Sequence, residues 1–143
     1  MQASKRIQGI QSIYVQKEKQ AERALVEAKN ALFQQQTQLQ QLVDYQAEYI
    51  TQRPTDCSVN QFQAYQGFVA KISQTVEIQQ QVIVDFELKY QQQLLLWRVA
   101  HQKQSVIDTY QQNLVAGERQ QADKKEQKEL DDLAGRQFPR RRE

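Results

Sequence analysis

The fold is decided by the stretch Thr51-Gln-Arg-Pro54-Thr-Asp-Cys57-Ser58, which separates two long helical patterns. Pro54 cannot continue a helix, because it lacks an N–H donor and its ring clashes with the preceding turn. Ser58 and Gln61 then have the spacing of a capping box, in which each side chain bonds to the backbone of the other residue. The sequence therefore predicts a turn over residues 51–58 and a new helix that begins at residue 59.

The pattern after this break is the most regular in the chain. Apolar and glutamine residues recur at alternating steps of three and four from Phe62 to Leu114, which is the heptad rhythm of a coiled coil. We predict one helix over residues 59–134. Its predicted coiled-coil core consists of Phe62, Tyr65, Val69, Ile72, Val76, Ile83, Phe86, Tyr90 and Trp97.

The pattern before the break predicts a helix over residues 4–50. From Ala21 onward the same rhythm gives a predicted core of Leu25, Leu32, Leu39, Leu42 and Tyr49. Upstream, Ile7, Ile10 and Tyr14 continue the apolar stripe in a different phase. We therefore expect a register shift between Tyr14 and Ala21.

Two heptad segments joined by a short break predict an all-α fold, two long helices in an antiparallel coiled-coil hairpin. The hairpin is expected over residues 1–135, followed by a basic, disordered tail over residues 136–143. Folding the chain at the middle of the break places Leu42 opposite Phe68 and Val69. In that register the longer second helix overhangs the first over residues 105–134.

Composition limits the classes of protein to consider. The net charge is only +2, which gives no general attraction to nucleic acid. A mean hydropathy of −0.83 suits a narrow apolar seam better than a round core. A single cysteine suits a reducing compartment, and neither a signal peptide nor a membrane-spanning run is evident. We expect a soluble, cytoplasmic protein.

Catalytic and metal-binding patterns are missing from the sequence. The single histidine, His101, lies one step off the seam, and Cys57 has neither a second cysteine nor a histidine near it in sequence. No glycine-rich phosphate loop occurs. The arginines of the tail could contact acidic lipid or nucleic acid, but a solvated tail is the simpler interpretation. We predict no enzyme activity, no cofactor, no metal and no nucleic-acid partner.

Four motifs in order resemble the FliJ family of flagellar export proteins. They are Leu42-Val-Asp-Tyr-Gln-Ala-Glu-Tyr49, Tyr65-Gln-Gly-Phe68, the single Trp97, and Lys128-Glu-Leu-Asp-Asp-Leu-Ala134. The resemblance covers almost the whole chain and includes the position of the break. The glutamine enrichment and the arginine-rich ending depart from the family pattern, so nothing is carried over to residues 136–143.

The resemblance implies a stalk of the flagellar type III export apparatus, similar to the central stalk of rotary ATPases. The implied partners are the export ATPase ring, the cytoplasmic domain of the export-gate membrane protein, and export chaperones. The protein would then lie peripherally at the inner membrane. A holdase-type chaperone, the stalk of a virulence secretion system and a homodimeric coiled coil are the alternatives.

Candidate partner-binding residues follow from this analogy. The end that carries both termini is expected to enter the ATPase ring through Ile7, Ile10, Tyr14, Ile107, Leu114, Leu130 and Leu133. Phe68, which lies beside the seam, is the candidate for the export gate.

Overall fold

A computed structural model describes residues 2–137, and these residues form two helices. Helix α1 spans Gln2–Thr51 and helix α2 spans Val59–Gln137. No strand occurs within the described part of the chain, so the all-helical class is confirmed. Arg136 and Gln137, which we assigned to the tail, continue α2. The rest of the predicted tail, 138–143, lies outside the described residues.

The connection between the helices is built as its sequence indicates. At the end of α1, the Thr51 hydroxyl donates to the Glu48 carbonyl oxygen at 2.7 Å. At the start of α2, the Ser58 N–H donates to Gln61 Oε1 at 3.0 Å. The Gln61 N–H in turn donates to Ser58 Oγ at 3.2 Å. These reciprocal bonds form the predicted capping box.

The chain divides into two compact units, which we describe separately. The central unit is Gln20–Arg98, and the terminal unit combines Met1–Lys19 with Val99–Glu143. The central unit holds all the buried side chains of the described residues, namely Ala28, Ile72 and Ile83. Of the predicted core residues, Ile72 and Ile83 are buried and the others are half-buried.

Glutamine side chains join the two helices inside the central unit. Gln79 Nε2 donates to the backbone oxygen of Gln35 at 3.0 Å and to its Oε1 at 2.8 Å. Gln46 Nε2 donates to Ser73 Oγ at 2.9 Å. Partner numbers fall along α2 as they rise along α1, so the two helices run in opposite directions in this unit.

The terminal unit has no buried side chain among its described residues, and its contacts between α1 and α2 include several polar ones. The Ser4 hydroxyl donates to Glu118 Oε2 at 2.6 Å, and Gln11 Nε2 donates to Asp108 Oδ1 at 2.6 Å. His101 Nδ1 lies 3.7 Å from Glu18 Oε1. Polar residues therefore occupy positions that an apolar pattern would assign to leucine or isoleucine.

The expected register shift between Tyr14 and Ala21 is wrong. Half-buried positions continue along α1 at steps of three and four without a break, as Ser4, Ile7, Gln11, Tyr14, Glu18 and Ala21. Ile10, by contrast, is 42% exposed. The apolar pattern shifted phase because Gln11 and Glu18 fill seam positions and find polar partners on α2.

The expected start of the overhang at residue 105 is also wrong. Contacts of α2 with α1 continue along α2 as far as Asp108 and Glu118. Beyond Glu118, every side chain of residues 119–136 is exposed. The same shift is visible near the connection, where Gln46 of α1 meets Ser73 of α2. At the connection itself, the Arg53 guanidinium lies over the Phe62 ring at 5.5 Å.

Candidate functional site

Five aromatic residues form a connected cluster in the central unit, which we call the aromatic cluster. Its members are Tyr45, Tyr49, Phe62, Tyr65 and Phe68. Tyr49 stacks on Tyr65 with ring centroids 5.3 Å apart and lies 4.5 Å from Phe68. Tyr45 meets the edge of Phe68 at 6.5 Å. Such pairs contribute about 0.5–1.5 kcal/mol each beyond their buried area, so the five rings stabilise one another.

The α1 side of this cluster is held by a hydroxyl group. Tyr65 Oη donates to the carbonyl oxygen of Tyr49 at 3.3 Å, close to the end of α1. Carbonyl groups in the last turn of a helix lack intrahelical donors, so this bond satisfies one of them.

The outer edge of the cluster remains accessible. Tyr45 is 48% exposed and Phe68 is 38% exposed, while Tyr49 and Tyr65 are half-buried beneath them. Exposed aromatic rings on a fixed base resemble the anchors of protein interfaces. Phe68 is among the contact residues predicted from the sequence, whereas Tyr45, one helical turn before Tyr49 in the first family motif, is not.

The second candidate surface is the terminal segment, residues 119–137 of α2. Every side chain that the structure describes here is exposed, including Leu130 and Leu133. The rest is mostly charged, with Arg119, Asp123, Lys124, Lys125, Glu126, Lys128, Glu129, Asp131, Asp132 and Arg136. A polar helix that packs against nothing is marginal in water, and a partner surface would stabilise it.

The other predicted ATPase-binding residues lie in the terminal unit with different exposures. Ile7, Tyr14, Ile107 and Leu114 are half-buried, so part of each side chain already packs within the unit. Ile10 is exposed. The residues most available to a partner are therefore Ile10, Leu130 and Leu133.

One carboxylate of the terminal unit has a strongly shifted pKa. The pKa of Glu118 is lowered from 4.5 to about 2, and the hydrogen bond from the Ser4 hydroxyl is the largest cause; the Ser4 backbone N–H, at 3.2 Å, makes a smaller contribution. A hydrogen bond to the charged form favours that form. Glu118 is therefore ionised at neutral pH and holds the start of α1.

The part of the chain that the structure describes contains no group of three or more metal-ligating side chains. Cys57 is half-buried in the connection, and His101 is exposed beside Glu18. No helix among residues 2–137 is long and apolar enough to cross a membrane.

A two-helix chain whose accessible features are an aromatic edge and a charged helical segment has the character of a protein-binding module. Its family follows from a comparison of sequences. Residues 4–143 match the family described as Flagellar FliJ protein, and the chain belongs to that family. The match confirms the resemblance and gives the chain a role related to flagellar export. No curated protein matches the chain.

Proposed function

We propose that this chain is a non-enzymatic stalk of the flagellar type III export apparatus. In this proposal an antiparallel coiled coil carries the terminal segment into the export ATPase ring and promotes assembly and activity of that ring. The aromatic cluster contacts the cytoplasmic domain of the export-gate membrane protein. Export chaperones are further partners, and the protein acts at the cytoplasmic face of the inner membrane. The family match supports this placement.

The coiled coil is supported by contacts within each unit. In the central unit Gln35 meets Gln79 and Gln46 meets Ser73. In the terminal unit Ser4 meets Glu118 and Gln11 meets Asp108. Half-buried positions at heptad spacing on both helices favour supercoiled packing over a simple side-by-side contact.

The observation that carries the proposal is the exposure of the terminal segment. Ser4 of α1 contacts Glu118, and among the following 19 residues of α2 every side chain that the structure describes is exposed. A helix of this length is marginal alone. Entry into a ring would supply the missing packing surface, with Leu130 and Leu133 as apolar contacts.

Deletion of residues 119–143 tests the ATPase contact. We expect the truncated protein to remain helical and folded, because the seam of the central unit is untouched. Its stimulation of the purified flagellar export ATPase should fall to the level without the stalk. Leu130→Gln should reduce the stimulation in part, whereas Ile78→Gln, which removes an equally exposed side chain, should leave it unchanged. Full stimulation by the truncated protein would contradict the proposal.

The gate contact is tested at the aromatic cluster. Replacement of Tyr45 and Phe68 by Ala should weaken binding to the cytoplasmic domain of the export gate by about tenfold or more, as expected for interface anchors. The matched control is Phe33→Ala, since Phe33 is 68% exposed in the same unit but lies outside the cluster. Titration calorimetry measures both, and equal losses for the two variants would argue against a specific contact.

A further inference from the structure

A second apolar stripe lies on the part of α2 that belongs to the central unit. Val84, Leu88 and Leu95 are 46%, 59% and 60% exposed, while Ile83 and Phe86 of the same turns are buried or half-buried. With Gln91, the exposed positions follow steps of four, three and four. This is the spacing of a helix–helix seam, and it lies on a face that α1 does not cover. We call Val84, Leu88, Gln91 and Leu95 the outer stripe.

The charges beside the outer stripe are arranged in a self-complementary way. At 3.6 residues per turn, Glu87 and Arg98 project from the same flank of the stripe, one on each side of its middle. Neither has an ion-pair partner within the described residues. In an antiparallel helix pair, residues on the same flank of each helix face one another, so the two charges can meet between copies.

We propose that a second copy of this chain docks on the outer stripe through residues 84–98 of α2, antiparallel and related by a two-fold axis near Gln91. In this arrangement Leu88 packs against Leu95 of the other copy, and Glu87 pairs with Arg98 of the other copy. Because the axis is two-fold, each contact occurs twice, as an isologous interface requires. One surface thus supplies both halves of the apolar contact and both signs of charge.

The size of this surface sets the expected affinity. The 15 residues 84–98 extend over about 22 Å of helix. A single helix contact of this length buries less surface than the interface of a permanent dimer. The complex should therefore be reversible, with a dissociation constant in the micromolar range or weaker. The proposal concerns only α2 and is independent of the export function.

The mass of the full chain in solution tests self-association. Sedimentation equilibrium should show a weight-average mass that rises with concentration from 16.8 kDa toward twice that value. Leu88→Gln with Leu95→Gln should keep the mass at the monomer value. Leu130→Gln with Leu133→Gln removes two comparably exposed leucines from the same helix and should leave the association unchanged. Circular dichroism should show equal helicity for all variants, since every substituted side chain is exposed.

The charge pair tests the register. Glu87→Arg or Arg98→Glu alone places like charges opposite each other and should weaken the dimer by about tenfold. The double variant Glu87→Arg with Arg98→Glu restores opposite charges and should return the affinity to within about threefold of the original. A double variant as weak as the single ones would overturn the proposed register.

Cross-linking tests the antiparallel orientation. In a background with Cys57→Ser, one preparation carries Leu88→Cys and a second carries Leu95→Cys. Mild oxidation should form a disulfide mainly in the mixture of the two preparations. Efficient linking of either one to itself would overturn the antiparallel arrangement. A mass that stays monomeric up to about 1 mM, or association that persists after both leucines of the stripe are replaced, would overturn the docking site.

Discussion

The central and terminal units use the same heptad spacing but fill it with different chemistry. The central unit holds Ala28, Ile72 and Ile83, the buried residues, and carries the aromatic cluster. The terminal unit places Ser4, Gln11 and Glu18 at successive heptad positions of α1, each beside a polar partner on α2. A common repeat therefore produces one unit held by apolar burial and another in which polar contacts have a large share.

This difference predicts unequal stability. Burying an isoleucine contributes roughly 1.5–3 kcal/mol, whereas a hydrogen bond between partly exposed groups contributes about 0.5–1.5 kcal/mol net. The terminal unit should therefore open at a lower free energy than the central unit. The terminal unit can therefore exchange its internal polar contacts for contacts with a partner at a small cost in free energy. This agrees with the ATPase contact proposed for it.

The largest effect is expected from a charge in the seam of the central unit. Ile83→Asp places a carboxylate at a position that is 7% exposed and should destabilise the protein by at least about 4 kcal/mol. Because small domains are stable by only about 5–15 kcal/mol, most of the helicity should be lost. Far-ultraviolet circular dichroism during urea unfolding measures this loss.

The control for that substitution is Ile78→Asp, in the same unit at a position that is 58% exposed. Its effect should stay within about 0.5 kcal/mol. If Ile83→Asp retained full helicity and an unchanged urea midpoint, the seam of the central unit would be assigned wrongly.

Replacing one glycine in each unit by alanine compares the stabilities of the two units directly. Gly67 of the central unit and Gly117 of the terminal unit are both helical, and a methyl group added at either meets nothing within 4 Å. Replacement by Ala should therefore stabilise each helix by about 1 kcal/mol. Gly67→Ala should raise the midpoint of global unfolding, whereas Gly117→Ala should mainly slow hydrogen exchange of amides in the terminal unit.

The outcome that would contradict this comparison is an equal rise of the global midpoint for both alanine variants. Such a result would mean that the two units unfold together and that the polar contacts of the terminal unit do not lower its stability.

Features that depend on local chemistry could be read from the sequence. Pro54 and the Ser58–Gln61 pair marked the break and the capping box, because each acts on its own backbone neighbours. The helix bounds were predicted within three residues. The heptad positions of the central unit, such as Ile72 and Ile83, were visible because they are apolar.

Features that depend on the partner helix could not be read in the same way. Gln11 and Glu18 occupy seam positions beside Asp108 and His101 of α2, and composition gives no sign of that pairing. The register also differs from the one expected by folding the chain at the middle of the break, as the contact of Gln46 with Ser73 shows. Within the candidate site, the apolar residues of the terminal segment could be predicted from the sequence. The exposure of Tyr45 could not, because it depends on how Tyr45 packs against Phe68 of the other helix.

The smallest expected effect concerns pH and the bond between Ser4 and Glu118. Because folding lowers the pKa of Glu118 from 4.5 to about 2, its contribution to stability is complete above pH 4.5 and is lost as the pH falls toward 2. Hydrogen-exchange protection of residues 5–19 should therefore decrease over that range more in the wild type than in Glu118→Gln, whose amide does not titrate. Amides of residues 69–86, in the central unit, should show no difference between the two proteins. If the wild type and Glu118→Gln lost protection in parallel from pH 4.5 downward, the carboxylate of Glu118 would not hold the start of α1.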